Sequence, residues 1–151
     1  MSRRRTVEGI AHSTADPATV HAILRDRPTW PDWSSLGRYE FVSGTEGELD
    51  SVCVFITNGI HSVERIVELV PDRRLSYELL SGLPMRGYRA DIDLTPSANP
   101  DGSTGTDIRW CSSFEPKIPG TGWFFSLMMG QLLPRMAAAL AQRAAVQPAA
   151  H

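Results

Sequence analysis

Cysteine is scarce in this chain of 151 residues: Cys53 and Cys111 are the only two. Two cannot make the disulfide framework of a small secreted domain, so the core must hold by packing alone. A basic excess is missing too. Fifteen Lys and Arg stand against 17 Asp and Glu, a formal net charge of −2. Nucleic-acid binders normally show a basic excess or stripe, and the one basic run, Arg3–Arg5, reads as a solvated end. Long hydrophobic runs are also lacking. The most apolar stretch, Trp123 to Leu133, stops at Pro134 and Arg135, short of the roughly 20 residues a bilayer span needs. The arginines after Met1 could open a signal peptide, but Glu8, His12 and Ser13 interrupt the segment where an apolar stretch would follow. The expectation is a cytoplasmic protein with no nucleic acid as partner and no stable membrane insertion.

Motifs for metal and phosphate chemistry are absent as well. There is no HExxH, no CxxC and no Walker glycine pattern, and nothing like GxSxG places a nucleophile. His12, His21, His61 and His151 show no ligand spacing. No metal and no cofactor is expected. What is present is ordinary globular material: 42% hydrophobic and 21% charged residues, which excludes a disordered or fibrous chain. The length suits one domain over residues 1–151.

RRTVEGIAHSTA reads as an entry strand. Asp16-Pro17 follows as helix cap and first helical residue, and Val20, Ile23 and Leu24 keep helical spacing. PTWPDWSSLG predicts a second short helix, with Pro31 near its start. From Arg38 onward the period becomes two, and six strands follow: RYEFV, SVCVFITN, IHSVERIVELV, RRLSYELLS, YRADIDLT and TDIRWCSSFE. PSANPDGSTG between the last two reads as a mobile polar loop. From Pro119 to about Ala145 the period is helical again, and Pro134 should kink or break that helix. The fold class is therefore α+β: a curved seven-stranded antiparallel sheet wrapped around a long C-terminal helix, with two short helices after the first strand. A cavity between sheet and helix is the expected ligand site.

Asn58-Gly59 is the strongest hairpin signal and sets a register: Thr57 with Ile60, Ile56 with His61, Val54 with Val63, Val52 with Arg65. Val52, Val54, Ile56, Val63, Val67 and Leu69 then share a face with His61 and Arg65, and that face is taken as the buried one. Matching it to Leu75, Tyr77 and Leu79 of the next strand needs an odd loop, such as Asp72-Arg73-Arg74. Tyr88, Ala90, Ile92 and Leu94, and Ile108, Trp110, Ser112 and Phe114, complete the interior. Every carboxylate in the four strands after Gly59, Glu64 included, points outward in this reading.

Arg65 is the most informative residue. On an apolar face it keeps its charge and needs acceptors: a ligand carboxylate, carbonyl or enolate, or else solvent at the sheet edge or Asp32. His61 is either an acid or base or a partly exposed turn residue. Trp30 and Trp33 either roof the cavity or anchor their helix. Tyr77, Tyr88 and Trp110 line it from three strands, each with a polar tip that needs a partner. Ser112 is another inward polar group, and Met128 belongs to an adaptable apolar wall on the long helix.

The segments ADPATVHAILRDRPTWPDWSSL, VERIVELVPDRRLSYELL and TDIRWCSSFEP, with the final helix, resemble the START-like helix-grip superfamily (SRPBCC), and within it the polyketide cyclase/dehydrase and lipid-transport group. The resemblance implies a deep hydrophobic cavity that takes lipids, sterols, polyketides or hormones. In the aromatase/cyclase members an inward arginine with tyrosine partners orients the substrate; Arg65 with Tyr77 or Tyr88 is similar in type, and no catalytic residue is carried over. The leading expectation is binding of a small hydrophobic molecule with a polar or anionic end. The first alternative is a polyketide cyclase, aromatase or dehydratase, and the second a non-catalytic interaction module with a filled cavity. A homodimer through Phe55, Ile60 and Ile66 is open.

Overall fold

The computed structural model describes residues 3–146. The elements are β1 (Arg5–Ser13), α1 (Pro17–Arg25), a 3-10 turn (Arg27–Thr29), α2 (Trp30–Trp33), β2 (Arg38–Ser43), β3 (Val52–Thr57), β4 (Ile60–Val70), β5 (Arg74–Ser81), β6 (Met85–Ala98), β7 (Thr104–Pro116) and α3 (Gly122–Ala145). The strands form one antiparallel sheet in the order β1-β7-β6-β5-β4-β3-β2. This is the expected helix-grip architecture: α3 lies across β1 and β7, and the core fills the space between helix and sheet.

Local chemistry explains the boundaries. Asp16 caps α1 by accepting from the Thr19 amide at 3.0 Å, with Pro17 in the first turn, where its missing N–H costs nothing. Asn58 and Gly59 both take positive φ, 51° and 81°, as a two-residue hairpin demands, and the β3–β4 pairs are those the turn predicts. The inner residues of β6 and β7 are also as expected: Tyr88, Ala90, Ile92, Leu94, Ile108, Trp110, Ser112 and Phe114 are all buried.

The β3–β4 hairpin, however, is turned over. Cys53, Phe55, Glu64 and Ile66 are buried, whereas His61 is exposed and Arg65 lies partly in solvent. The cause is a β-bulge. Leu69 pairs with Leu75, in the expected phase but across a three-residue loop from Pro71 to Arg73 rather than from Asp72 to Arg74, and between Ile66 and Glu68 the ladder shifts by one residue at Val67. Because side chains alternate, one extra residue inverts everything beyond it on that strand and on the strand paired to it. A compensating shift between Leu79 and Ser81 restores the register at Val63. Val54 is covered, yet it stands outside the core cluster. The expected outer patch for a homodimer is not formed: Phe55 and Ile66 are core, and only Ile60 is exposed.

Two other expectations need correction. Half of the polar loop before β7 is ladder: Pro96, Ser97 and Ala98 pair with Thr106, Gly105 and Thr104. Pro96 is tolerated because β5 ends its pairing at Asp93, so the missing N–H faces no strand. Buried Asn99 ties the turn, its Nδ2 donating to Thr14 O at 2.9 Å and Ser103 Oγ at 3.0 Å. Secondly, α3 runs unbroken through Pro134. At 24 residues it is long and apolar enough to cross a membrane, a property shared by core helices, and here Phe125, Met129, Leu133, Met136 and Leu140 are buried in the core.

Gly9 of β1 sits directly against the Leu133–Pro134 peptide of α3. A Cβ there would lie 2.4 Å from the Leu133 carbonyl carbon and the Pro134 nitrogen. Gly9→Ala should therefore lower stability by about 1–3 kcal/mol, since backbone must move to admit one methyl; urea unfolding measures it, and an unchanged midpoint would refute the contact.

His12 Nδ1 faces Asp107 Oδ1 and its Nε2 faces Asn99 Oδ1, each at 2.8 Å. The two donors of Asn99 are already committed, so both ring nitrogens meet acceptors and the imidazolium is favoured. The Asp107 hydrogen bond first, then Asn99, holds the His12 pKa above 6.5. A raised folded pKa stabilises fully below the unfolded value and loses that contribution as pH rises through the folded pKa. The stability difference between wild type and His12→Gln should shrink between pH 5.5 and 8.5; a constant difference would exclude a charged His12.

Candidate ligand-binding site

The inverted hairpin puts Glu64 inside. A lone buried carboxylate is costly, and the chain supplies Arg27 from the 3-10 turn between α1 and α2. Arg27 Nη2 donates to Glu64 Oε1, with both residues buried. The guanidinium is enclosed by aromatic rings: its Cζ is 4.2 Å from the Trp30 ring centroid, 5.0 Å from Tyr77 and 5.2 Å from Phe55. Its Nε and Nη1 have no hydrogen-bond acceptor, and the ring faces provide their electrostatic partner. Burial pushes the Glu64 carboxyl above its ordinary range, against the opposing pull of Arg27. Burial also raises the Cys53 thiol to about 11, again with Arg27 opposing, so that thiol is inert.

On the far side of Glu64 lies a cavity of about 80 Å³. The sheet contributes Ser62, Glu64, Tyr77, Leu79, Tyr88 and Trp110; α3 contributes Met129, Leu132, Leu133 and Met136; Leu36 and Leu83 close the rim. The Trp110 indole donates to Tyr77 Oη at 3.3 Å. Burial raises both tyrosine pKa values, so the phenols are neutral and able to donate. The site is an apolar pocket with one polar corner made of a carboxyl, two phenols and a hydroxyl. Pockets for drug-sized ligands run to about 300–1,000 Å³, so this one is nearly filled by its own side chains.

Of the residues expected to bind ligand, Tyr77, Tyr88 and Trp110 line this cavity. Trp30 is buried behind it, its indole donating to Leu24 O at 3.1 Å, and it forms the floor of the arginine box. Trp33 is half-buried against Trp30, 5.6 Å between centroids, with its indole nitrogen unpaired. Ser112 is buried beside Tyr88 and outside the lining. Met128 packs on the core edge, while its neighbour Met129 faces in. Arg65 and His61 do not belong here. Arg65 pairs across the outer face with Glu78, its Nε donating to Oε1 at 3.0 Å, because the bulge turns it away from α3. His61 is exposed beside the hairpin turn for the same reason.

Sequence reasoning missed Arg27 and Glu64 together: the hairpin phase places Glu64 outward with the other carboxylates, and nothing in that reading singles out Arg27. The available signal was Ile66 with Phe55 and Cys53, an alternative apolar set in the opposite phase of the same hairpin. Among the described residues no cluster of three or more His, Cys, Asp or Glu could hold a metal ion.

An open antiparallel sheet gripping one long helix over an aromatic, mostly apolar interior defines the helix-grip class. The chain belongs to the polyketide cyclase/dehydrase and lipid transport family, whose profile matches residues 4–146. Among solved structures it resembles norcoclaurine synthase from Thalictrum flavum, with TM-score 0.76, 12% identity, and 97% of this chain and 89% of that one covered. The same enzyme in complex with dopamine and hydroxybenzaldehyde matches with TM-score 0.76 at 13% identity, covering 99% of this chain and 91% of that one. XoxI from Bacillus cereus matches with TM-score 0.71 at 19% identity, covering 93% and 94%. At these identities the likeness is one of fold. No curated protein matches the sequence.

Removing one member of a buried ion pair strands the other. Arg27→Met should cost about 3–5 kcal/mol of unfolding free energy, and adding Glu64→Gln should restore much of it. Additive losses in denaturant unfolding would mean that the two side chains are not coupled.

Proposed function

We propose that the chain binds a small, mostly apolar molecule carrying a hydroxyl or similar hydrogen-bond donor, in the space between the sheet and α3. The observation that carries this reading is the single polar corner formed by Glu64, Tyr77 and Tyr88 in an otherwise apolar cavity. A partly negative acceptor faces the open space, so a donating end is the complementary ligand chemistry. An anionic end was expected from Arg65, but the inner cation is Arg27, and it is already paired with Glu64. The size of the cavity limits a ligand in the present packing to a small ring. A larger one enters by displacing Met129, Met136 and Leu83, of which the methionines repack at little cost. Dopamine and hydroxybenzaldehyde, held by the structurally similar synthase, are small aromatic molecules of the required kind.

One observation favours the cyclase or dehydratase alternative: an inward carboxyl with a pKa raised by burial. Enolisation, ring closure and dehydration all need a group that takes up and returns a proton, and Glu64 beside two phenols is such a group. The filled-cavity alternative predicts no ligand at all.

Fluorescence titration of the buried tryptophans with hydroxylated aromatic compounds and with fatty acids tests the binding. The hydroxylated compounds should bind, and the double variant Arg27→Met/Glu64→Gln, which removes the carboxylate without stranding a buried cation, should weaken them about tenfold. Absence of binding across the panel by folded protein would overturn the proposal in favour of the filled cavity. Turnover of a bound compound that the folded double variant no longer supports would identify the enzyme.

A further inference from the structure

The outer surface at the start of α3 contradicts its surroundings. Trp123, Phe124, Leu127 and, in the preceding loop, Ile118 are large apolar side chains between 49% and 63% exposed. Trp123 and Phe124 stand edge to face, 6.1 Å between centroids, and Phe124 leans on core Phe125 at 5.2 Å. The group is thus rooted in the core and protrudes from it.

The charged residues lining the hollow beside it are basic, and Glu115 of β7, one residue before Pro116, is the nearest carboxylate in sequence. Arg3 and Arg5 flank Trp123 around a shallow hollow with Pro116, Pro119 and Gly122. Arg4 donates to Gly87 O and Ser113 Oγ, both neutral. Lys117 is exposed beside Ile118, and its amide is tied to Pro84 O at 2.9 Å. Among the described residues none of Arg3, Arg4, Arg5 or Lys117 forms an ion pair, whereas seven of the eleven other arginines do. The sequence has no Asp or Glu before Glu8 and none after Glu115. A chain of net charge −2 thus places four cations without ion pairs at the end that carries its most exposed aromatics.

We propose that this end of the molecule docks peripherally on an anionic lipid bilayer. Indole, phenyl and leucyl groups enter the headgroup boundary, and the arginines and Lys117 meet lipid phosphates. A second copy of the chain is a poor occupant, since a symmetric contact through this patch would bring like charges together. The surface also adjoins the cavity, because Leu83, beside Pro84, lines its rim. The docking is measured without any ligand and stands or falls separately from the cavity reading.

The test is co-sedimentation of the full chain with vesicles of phosphatidylcholine alone, and with vesicles in which about a third of the lipid is phosphatidylglycerol. Binding should require the anionic lipid and weaken with added salt. The double variants Trp123→Ser/Leu127→Ser and Arg3→Glu/Lys117→Glu should each bind about tenfold less, or weaker still. These side chains are exposed or form no ion pair, so circular dichroism and the urea unfolding midpoint should match wild type. Failure to sediment, equal binding to neutral vesicles, or charge variants that bind like wild type would each overturn the proposal. So would a wild-type dimer that Trp123→Ser converts to monomer, which would make the patch a protein interface.

Discussion

The pairing of Arg27 with Glu64 is the constraint around which the interior is arranged. Two opposite charges out of water contribute little net stability, but each is very costly without the other. The 3-10 turn must therefore dock where its arginine reaches β4, and that fixes the position of α2 and its tryptophans over the sheet. Trp30, Tyr77 and Phe55 then do two things at once. They fill the grip between sheet and helix, and they present ring faces to a guanidinium that has only one carboxylate to satisfy it. The same rings leave only a small void beside Glu64. The cavity is the remainder of an aromatic packing problem solved around a charge.

Much of the architecture was legible because its signals are local. Asp16-Pro17 specifies a helix start through one side-chain acceptor and one missing N–H. Asn58-Gly59 specifies a hairpin through two positive φ values. The alternation of Tyr88 to Leu94 and of Ile108 to Phe114 specifies inner faces because both strands are central and uninterrupted there. The candidate site was half legible for the same reason: Tyr77, Tyr88 and Trp110 come from strands in plain phase. What was not legible depends on a register shift. Nothing about Val67 marks it as the extra residue of a bulge, so the apolar count over β3 and β4 mixed two phases and placed Arg65 and His61 inside. Glu64 read as an outward carboxylate because its partner lies 37 residues away in a turn, at a separation that periodicity does not sense. Asn99 is a third case, a polar residue in a polar stretch whose importance lies in what its amide holds together.

The helix α3 serves two environments. Its inner face is core from Phe125 to Leu140, and it closes against β1 through a glycine that lets the backbones touch. Its first turns carry aromatics outward instead. The family fold tolerates this because the grip needs only one face of the helix. Shared topology at 12–19% identity is consistent with the same division: the sheet and helix are common, and both the interior chemistry and the outer face are free to differ.

The bulge at Val67 makes the sign of the interior depend on chain length rather than on residue type. A strand one residue shorter at that point would turn Arg65 and His61 toward the helix and send Glu64 to solvent, with no other letter of the sequence altered. A carboxylate-bearing interior would become a cation-bearing one. Single-residue insertions and deletions in β4 are in this sense changes of interior charge, and a comparison of such chains position by position would pair residues that face opposite sides of the sheet.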